Sequence, residues 1–194
     1  MKLYRNGEVD WFHKKTTPRW KLSNMAGQMS IYWPLKQIPE NLWYSTEQLY
    51  QASKYSTKVM CLPKRHKRGA DPCVRNRIKA DHTPRGAKMT QKCAVEAGLV
   101  RSDWKSKEVR LKAMLWVLEL KLYWNPESFG EALAGTTRPI VEISSKDDFW
   151  GCYQCPKGEL RGENHMGRLL MQVRRRRRAV LKGKFTHPRG FLLP

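Results

Sequence analysis

Residues 106–124 read SKEVRLKAMLWVLELKLYW, and this stretch carries the most regular pattern in the sequence. Apolar side chains would cover most of the circumference of a helix formed here: Val109, Ala113, Met114, Trp116, Val117, Leu118 and Leu120. A helix that is apolar almost all round is buried at the centre of its domain. We therefore expect this segment to be the central helix of one hydrophobic core.

The segments on both sides of this helix predict a helix-rich α+β domain. An amphipathic helix near the C-terminus is indicated by the spacing of Met166, Leu169, Leu170 and Val173. Residues 139–144 predict a strand, and residues 1–44 mix aromatic residues with prolines, which is typical of short strands and turns. At 194 residues the chain fits one compact domain, placed at 1–181, with a basic tail at 182–194 that can be flexible.

A shorter helix is predicted to begin at Ser45, whose hydroxyl can accept a hydrogen bond from the first turn. Gln48 stands three residues later, so the two residues form the pattern of a capping box. Glu47, Gln51 and Lys54 are three or four residues apart and should share one polar face of this helix. This face concentrates groups that can take part in chemistry.

The charge of the chain is its most unusual bulk property. It has 38 Lys and Arg residues against 17 Asp and Glu residues, a formal net charge of +21. Such a field attracts polyanions, and it far exceeds the roughly 2 to 8 charges that keep a small domain soluble. Nucleic acid is therefore an expected partner, through the basic tracts 64–68 and 174–178. The alternative for the second tract is a solvated helix end.

Other features exclude some classes of protein. No run approaches 18 apolar residues, so a membrane-spanning helix is not expected. The first 20 residues lack the apolar stretch of a secretory signal, so we expect a cytoplasmic protein with reduced cysteines. Cys152 and Cys155 form a C-x-x-C pair, but no other cysteines or histidines show the spacing that a four-ligand zinc site needs. We predict no metal and no cofactor.

Seven segments, in order, resemble the NADAR (YbiA-like) family over residues 20–178. They are LSN at 22–24, STEQLYQASKY at 45–55, DW at 103–104, Met114 with Lys121, VE at 141–142, DDFWG at 147–151, and GENHMGRLLM at 162–171 leading into Arg174. Between Trp150 and Gly162 the family's usual pattern is a glycine-rich loop, whereas this chain reads GCYQCPKG at 151–158. We interpret this departure as a variant substrate loop.

The resemblance implies a YbiA-like N-glycosidase that acts on ribose-linked substrates. These substrates are of two kinds: phosphorylated ribosylamino intermediates of riboflavin synthesis, and ADP-ribose on a base, notably guanine in nucleic acid. The family positions carry over as catalytic Glu47, Asp147 and Lys54, and as substrate-binding Asn24, Trp104, Trp150, Asn164 and Arg174. The high charge favours the nucleic-acid substrate over the alternative, a small phosphorylated ribosylamino or NAD-derived metabolite.

The residue types suit that reaction. Breaking a C–N glycosidic bond develops positive charge on the sugar, which a carboxylate stabilises, and the leaving base needs a proton from an acid. A lysine such as Lys54 can trap an opened ribose as a Schiff base or bind phosphate.

Alternatives remain open at this stage. Trp104 and Trp150 could be ordinary core residues, and Asn164 could only cap the last helix. A non-catalytic protein that binds ADP-ribose, NAD or nucleic acid is the alternative of another class.

Overall fold

The computed structural model describes residues 2–13, 17, 19–55 and 73–186. Within these ranges there are six α-helices: α1 (Thr46–Ala52), α2 (Val74–Ala80), α3 (Pro84–Glu96), α4 (Lys107–Trp124), α5 (Glu131–Ala134) and α6 (His165–Leu181). Seven short strands accompany them: β1 (Lys2–Arg5), β2 (Asp10–Phe12), β3 (Ile31–Tyr32), β4 (Leu42–Trp43), β5 (Ile140–Glu142), β6 (Tyr153–Gln154) and β7 (Glu159–Gly162). The predicted helix-rich α+β fold is confirmed. None of the described helices is long and apolar enough to span a bilayer.

The strands form three small sheets. In the largest, β7 lies between β1 and β6 and is antiparallel to both. β2 pairs with β5 in parallel, with Asp10 opposite Ile140, and β3 pairs with β4 in a two-stranded antiparallel ribbon. The β2–β5 pair ties the N-terminal segment to the strand that α6 packs against.

Helix α4 is the centre of the molecule, as its pattern predicts. All ten residues from Ala113 to Leu122 are buried, and the helix packs mainly against α6 and also against α1. Each fully buried Leu, Phe or Met contributes roughly 1.5–3 kcal/mol relative to an exposed one. Two ionisable residues, Glu119 and Lys121, are also completely buried within this run.

Helix α1 begins with the predicted capping box. The Ser45 hydroxyl accepts a hydrogen bond from the Gln48 backbone N–H (3.2 Å), and the Gln48 side chain accepts one from the Ser45 N–H (3.0 Å). All seven helical residues are buried. The helix ends at Ala52, so Lys54 lies just after it. The sequence pattern had predicted that Lys54 would lie on the helix itself.

The start of the predicted tail is held against the domain. Gly183 adopts a left-handed conformation (φ 75°), and the Lys184 N–H returns to the Ala179 carbonyl, a standard helix ending. Phe185 then packs edge-on against Tyr123, and Thr186 donates to the buried Glu119 carboxylate. The first residues of the predicted tail therefore pack against the domain as far as residue 186, and residues 187–194 lie outside the described ranges.

Candidate functional site

The carboxylate of Glu47 is held from both sides by amide groups. Asn24 Nδ2 donates to Glu47 Oε2, and Gln51 Nε2 donates to Oε1, each at 2.6 Å. Gln51 lies one helical turn after Glu47 on α1, whereas Asn24 comes from the turn that follows residues 20–22. The three side chains are only 3–6% exposed. Glu47 therefore has a fixed orientation inside the protein.

The same two amides leave their oxygens without partners. Asn24 Oδ1 and Gln51 Oε1 are buried, and neither accepts a hydrogen bond from a described residue. A buried polar atom without a partner costs about 1–3 kcal/mol. Two acceptor atoms without partners among the described residues therefore lie beside the Glu47 carboxylate.

A buried lysine on α4 holds the segment that carries Asn24. Lys121 Nζ on α4 donates to the carbonyl oxygens of Lys21 (2.9 Å) and Ser23 (2.8 Å). Burial lowers the pKa of Lys121 to about 7, and the charge of Glu142 opposes this shift. The central helix thereby fixes the position of the Asn24 amide relative to Glu47.

Lys54 extends the polar cluster towards α3. Its Nζ donates to Gln91 Oε1 (3.1 Å) and lies 5.9 Å from the centre of the Tyr50 ring. Burial lowers the pKa of Lys54 to about 8, while the negative charge of Glu47 acts in the opposite direction and the positive charge of Lys88 lowers it further. Near pH 8 a large share of Lys54 is therefore a neutral amine.

Tyr50 joins the polar cluster to the aromatic residues. Its ring centre lies 5.5 Å from that of Trp104 and 5.8 Å from that of Trp150. Burial raises the pKa of the Tyr50 hydroxyl, and the charges of Glu47 and Asp147 raise it further. Both predicted tryptophans therefore contact the Tyr50 ring, and both predicted carboxylates act on its hydroxyl electrostatically. Trp104 is buried and Trp150 is partly exposed.

Asp147 also has a local structural role. Its Oδ1 accepts hydrogen bonds from the backbone N–H groups of Phe149 (3.2 Å) and Trp150 (2.8 Å). These bonds close a turn that sets the position of Trp150. The half-buried carboxylate keeps its second oxygen, Oδ2, outside this turn.

Asn164 is a fully buried structural residue. It is the first residue before α6 and has a left-handed backbone (φ 51°), but its side chain does not cap the helix. Its Nδ2 donates to the Ile140 carbonyl (2.8 Å), and its Oδ1 accepts from the Glu142 N–H (3.2 Å). Both ends of the amide are thus used on β5, which supports neither the predicted ribose contact nor the capping alternative.

Gly167 lies at the same junction. A Cβ atom at this position would stand 2.0 Å from the Ile140 carbonyl oxygen and 2.7 Å from the Asn164 amide. Only glycine lets α6 approach β5 this closely.

Arg174 is likewise separate from the Glu47 cluster. Its guanidinium donates to the Thr136 carbonyl and hydroxyl, both at 2.8 Å, and so fastens α6 to the end of α5. The rest of the tract 174–178 is divided: Arg176 pairs with the buried Glu119 at 2.9 Å, while Arg175 and Arg178 are exposed. The tract is not one basic surface, and the tract 64–68 lies outside the described ranges.

The cysteine-containing segment is a β-hairpin. Cys152 is buried with Val9, Val141 and Leu160, and burial raises the pKa of its thiol to about 11. Cys155 lies in the turn between β6 and β7. The segment interpreted as a variant substrate loop is therefore the outer part of the β1–β7–β6 sheet. Among the described residues, no three His, Cys, Asp or Glu side chains come together as metal ligands.

The structure therefore brings together six of the eight predicted site residues: Asn24, Glu47, Lys54, Trp104, Asp147 and Trp150. It adds Tyr50 and Gln91 to the cluster, and it places there Gln51, which the sequence predicted on the same face as Glu47. The position of Tyr50, three residues after Glu47 on one helix, was the signal that could have identified it. Gln91 gave no such signal, since it arrives from α3.

Comparisons with known proteins agree on one family. The NADAR domain model matches residues 11–178. An N-glycosidase of Nostoc punctiforme is 29% identical over 145 residues, which cover 74% of this chain and 80% of that protein. The chloroplastic riboflavin biosynthesis protein PYRR of Arabidopsis thaliana is 38% identical over 76 residues, which are 39% of this chain and only 12% of that protein.

The fold agrees as well. The NMR structure of the E. coli protein YbiA is similar with a TM-score of 0.62 and 23% sequence identity, over 93% of this chain and 90% of that one. The family match includes the helix that carries Glu47, the turn that carries Asp147 and the junction of α6 with β5. The chain belongs to the NADAR domain family.

Proposed function

We propose that this protein is an N-glycosidase that removes ADP-ribose from guanine in nucleic acid. The observation that carries the proposal is the buried Glu47 carboxylate, clamped by two amides whose own oxygens lack partners. A site that only bound phosphate would gain nothing from a buried carboxylate, because like charges repel. A carboxylate does stabilise the positive charge that develops on a sugar when its glycosidic bond breaks.

The remaining groups complete the reaction. Asp147 Oδ1 is engaged by backbone N–H groups, so Oδ2 is the atom through which this carboxyl group would exchange a proton with the departing base. The partly exposed Trp150 provides a flat face for the base, and such a stack is worth about 1–3 kcal/mol. The buried Trp104 packs against Tyr50 beside it.

Lys54 supports a covalent route. With a pKa of about 8, its neutral amine can add to C1 of the ring-opened ribose, where C1 is double-bonded to the base nitrogen. The adduct then releases the base as a free amine that carries both protons lost by the Lys54 nitrogen, and a lysine–C1 imine remains. Water then hydrolyses the imine, which releases the sugar aldehyde and restores the amine. The Glu47 carboxylate, whose charge acts on Lys54, would stabilise the protonated imine.

The formal net charge of +21 favours a substrate attached to a polyanion. The second candidate is a small phosphorylated ribosylamino compound of the riboflavin pathway, since one relative is a riboflavin biosynthesis protein.

The test is a single-turnover assay with an oligonucleotide that carries ADP-ribosylated guanine, read by mass, for the wild type, Glu47→Gln and Asp147→Asn. We expect the wild type to release ADP-ribose and both variants to retain it. Tight binding without release would assign a non-catalytic binding protein. Release only from a ribosylamino phosphate would assign the small-molecule reaction.

A further inference from the structure

A second feature lies between α4 and α6, outside the Glu47 cluster. The two helices enclose an open groove of about 920 Å³. Basic side chains stand along it, from Lys107 and Lys112 on α4 and from Arg168 and Arg175 on α6, with Leu111 and Leu115 among its apolar lining residues. Basic side chains around apolar residues suit a nucleic-acid strand, because its phosphates carry negative charge and its bases have flat faces that pack on apolar groups.

The cations of this groove outnumber its carboxylates. Lys107 pairs with Glu163, and Lys112 pairs with Glu108 at 2.6 Å. Arg168 and Arg175 are exposed, and neither makes an ion pair with a described residue. Four cations against two acids leave the groove with two excess positive charges, both from arginines that can bind phosphate.

These two arginines lie on one face of α6. They are seven residues apart, which places them two turns and about 10.5 Å apart along the helix axis. They can therefore contact separate phosphates of one strand instead of competing for one. Arg174 and Arg176 do not share this freedom, since both are already bonded within the domain.

The groove is linked to the candidate site by a chain of packed side chains. Lys107 Nζ lies 5.6 Å from the centre of the Phe149 ring, and the His165 ring lies 4.5 Å from it. Phe149 in turn packs at 5.0 Å against Trp150, which contacts Tyr50 next to Glu47. A strand in the groove would thus place a neighbouring base at the aromatic wall of the site.

We propose that the α4–α6 groove binds the phosphate backbone of a single strand next to the modified base. This inference rests on the proposed nucleic-acid substrate. A single strand is the appropriate form, because a base can reach the buried Glu47 only when it is out of its stack. A concave groove between two helices also fits a strand better than a flat lipid surface.

The experiment measures the binding of an unmodified single-stranded 12-mer by fluorescence anisotropy at several salt concentrations, with full-length protein. The variant Arg168→Gln/Arg175→Gln is compared with Arg85→Gln/Lys92→Gln, an exposed pair on α3 with the same seven-residue spacing and the same loss of charge. We expect the groove variant to bind about tenfold more weakly at low salt. Its salt slope should fall by about 1.4, since each phosphate contact on a single strand contributes about 0.7.

Equal effects of the two pairs would overturn the proposal, because they would show only a general response to net charge. The proposal would also be overturned if Arg168→Gln/Arg175→Gln lost binding to phosphatidylserine vesicles but still bound the 12-mer. That result would show that the groove binds a lipid surface. Because this binding assay needs no turnover, it tests the groove proposal independently of the proposed glycosidase activity. Weakened 12-mer binding in a protein that cleaves nothing would support the groove and refute the glycosidase.

Discussion

The Glu47 cluster and the α4–α6 groove are both rich in charge, but they differ in their access to water. In the cluster, Glu47 is 6% exposed and Lys54 has its pKa lowered to about 8 by burial. In the groove, Lys107 and Lys112 are more than half exposed and their ion pairs lie in solvent. Buried charges change the reactivity of neighbouring groups, whereas exposed charges are screened and mainly attract ligands. In the two proposals, burial therefore separates the reactive cluster from the surface that would recognise a polyanion.

The largest effect should follow from removing the buried carboxylate. Glu47→Gln keeps the shape of the side chain but removes the charge that stabilises the developing cation, so we expect single-turnover release to fall by about 10²–10⁴. Binding of the 12-mer should stay within twofold of the wild type. Glu131→Gln, an exposed change on α5, is the matched control. A melting curve, together with the shorter carboxylate in Glu47→Asp, separates lost chemistry from lost folding.

The pH dependence of the cleavage rate should report Lys54. The reactive form is the neutral amine, so the rate should rise with pH and level off above about 8. Lys88→Gln removes a positive charge that lowers the pKa of Lys54, so this variant should move the midpoint to higher pH. A rate that falls as pH rises through 8 would instead assign Lys54 to phosphate binding. Borohydride reduction should trap the wild type, but not Lys54→Arg, with the added mass of the sugar.

Trp150 lies between the two regions and tests whether they act together. Trp150→Leu removes a stacking face, so we expect roughly a tenfold rise in KM for the modified oligonucleotide and a smaller change in kcat. Trp11→Leu, in the smaller apolar cluster beside β2, provides the control for general loss of packing. If both variants raised KM equally, the aromatic wall would have no specific role in substrate binding.

The smallest effect is expected in the groove. Glu108→Gln frees Lys112 from its ion pair and adds one positive charge, so affinity for the 12-mer should rise about twofold at low salt. The gain should disappear at high salt because the groove is exposed. Glu96→Gln on α3 makes the same charge change elsewhere. An equal gain from both variants would mean that the groove is not preferred over the rest of the surface.

Local features could be predicted from the sequence because their causes are local. The apolar circumference of α4, the capping box of Ser45 and Gln48, and the shared face of Glu47 and Gln51 all depend on residues within one or two turns. Helical spacing specifies such neighbours directly.

Contacts between distant segments could not be predicted in this way. Asn164 was expected near the sugar, but its amide bonds to β5, more than twenty residues away. The Thr186 contact with Glu119 joins residues 67 apart. No local pattern therefore predicts that the start of the tail packs against α4. The place of Asn24 beside Glu47 came from the resemblance, since nothing in its own neighbourhood indicates a partner 23 residues later.

The junction of Asn164 and Gly167 with β5 also affects how relatives should be recognised. Asn164 and Gly167 are needed for the close packing of α6 on β5, because a methyl group on Gly167 would collide with the Ile140 carbonyl. A search pattern built on them would collect proteins that share this architecture, whether or not they cleave anything. Under the proposed function, a pattern built on Asn24, Glu47 and Gln51 would mark the members that carry the proposed reactive carboxylate. Members that keep the first pattern and lack the second would show whether the architecture persists without that carboxylate.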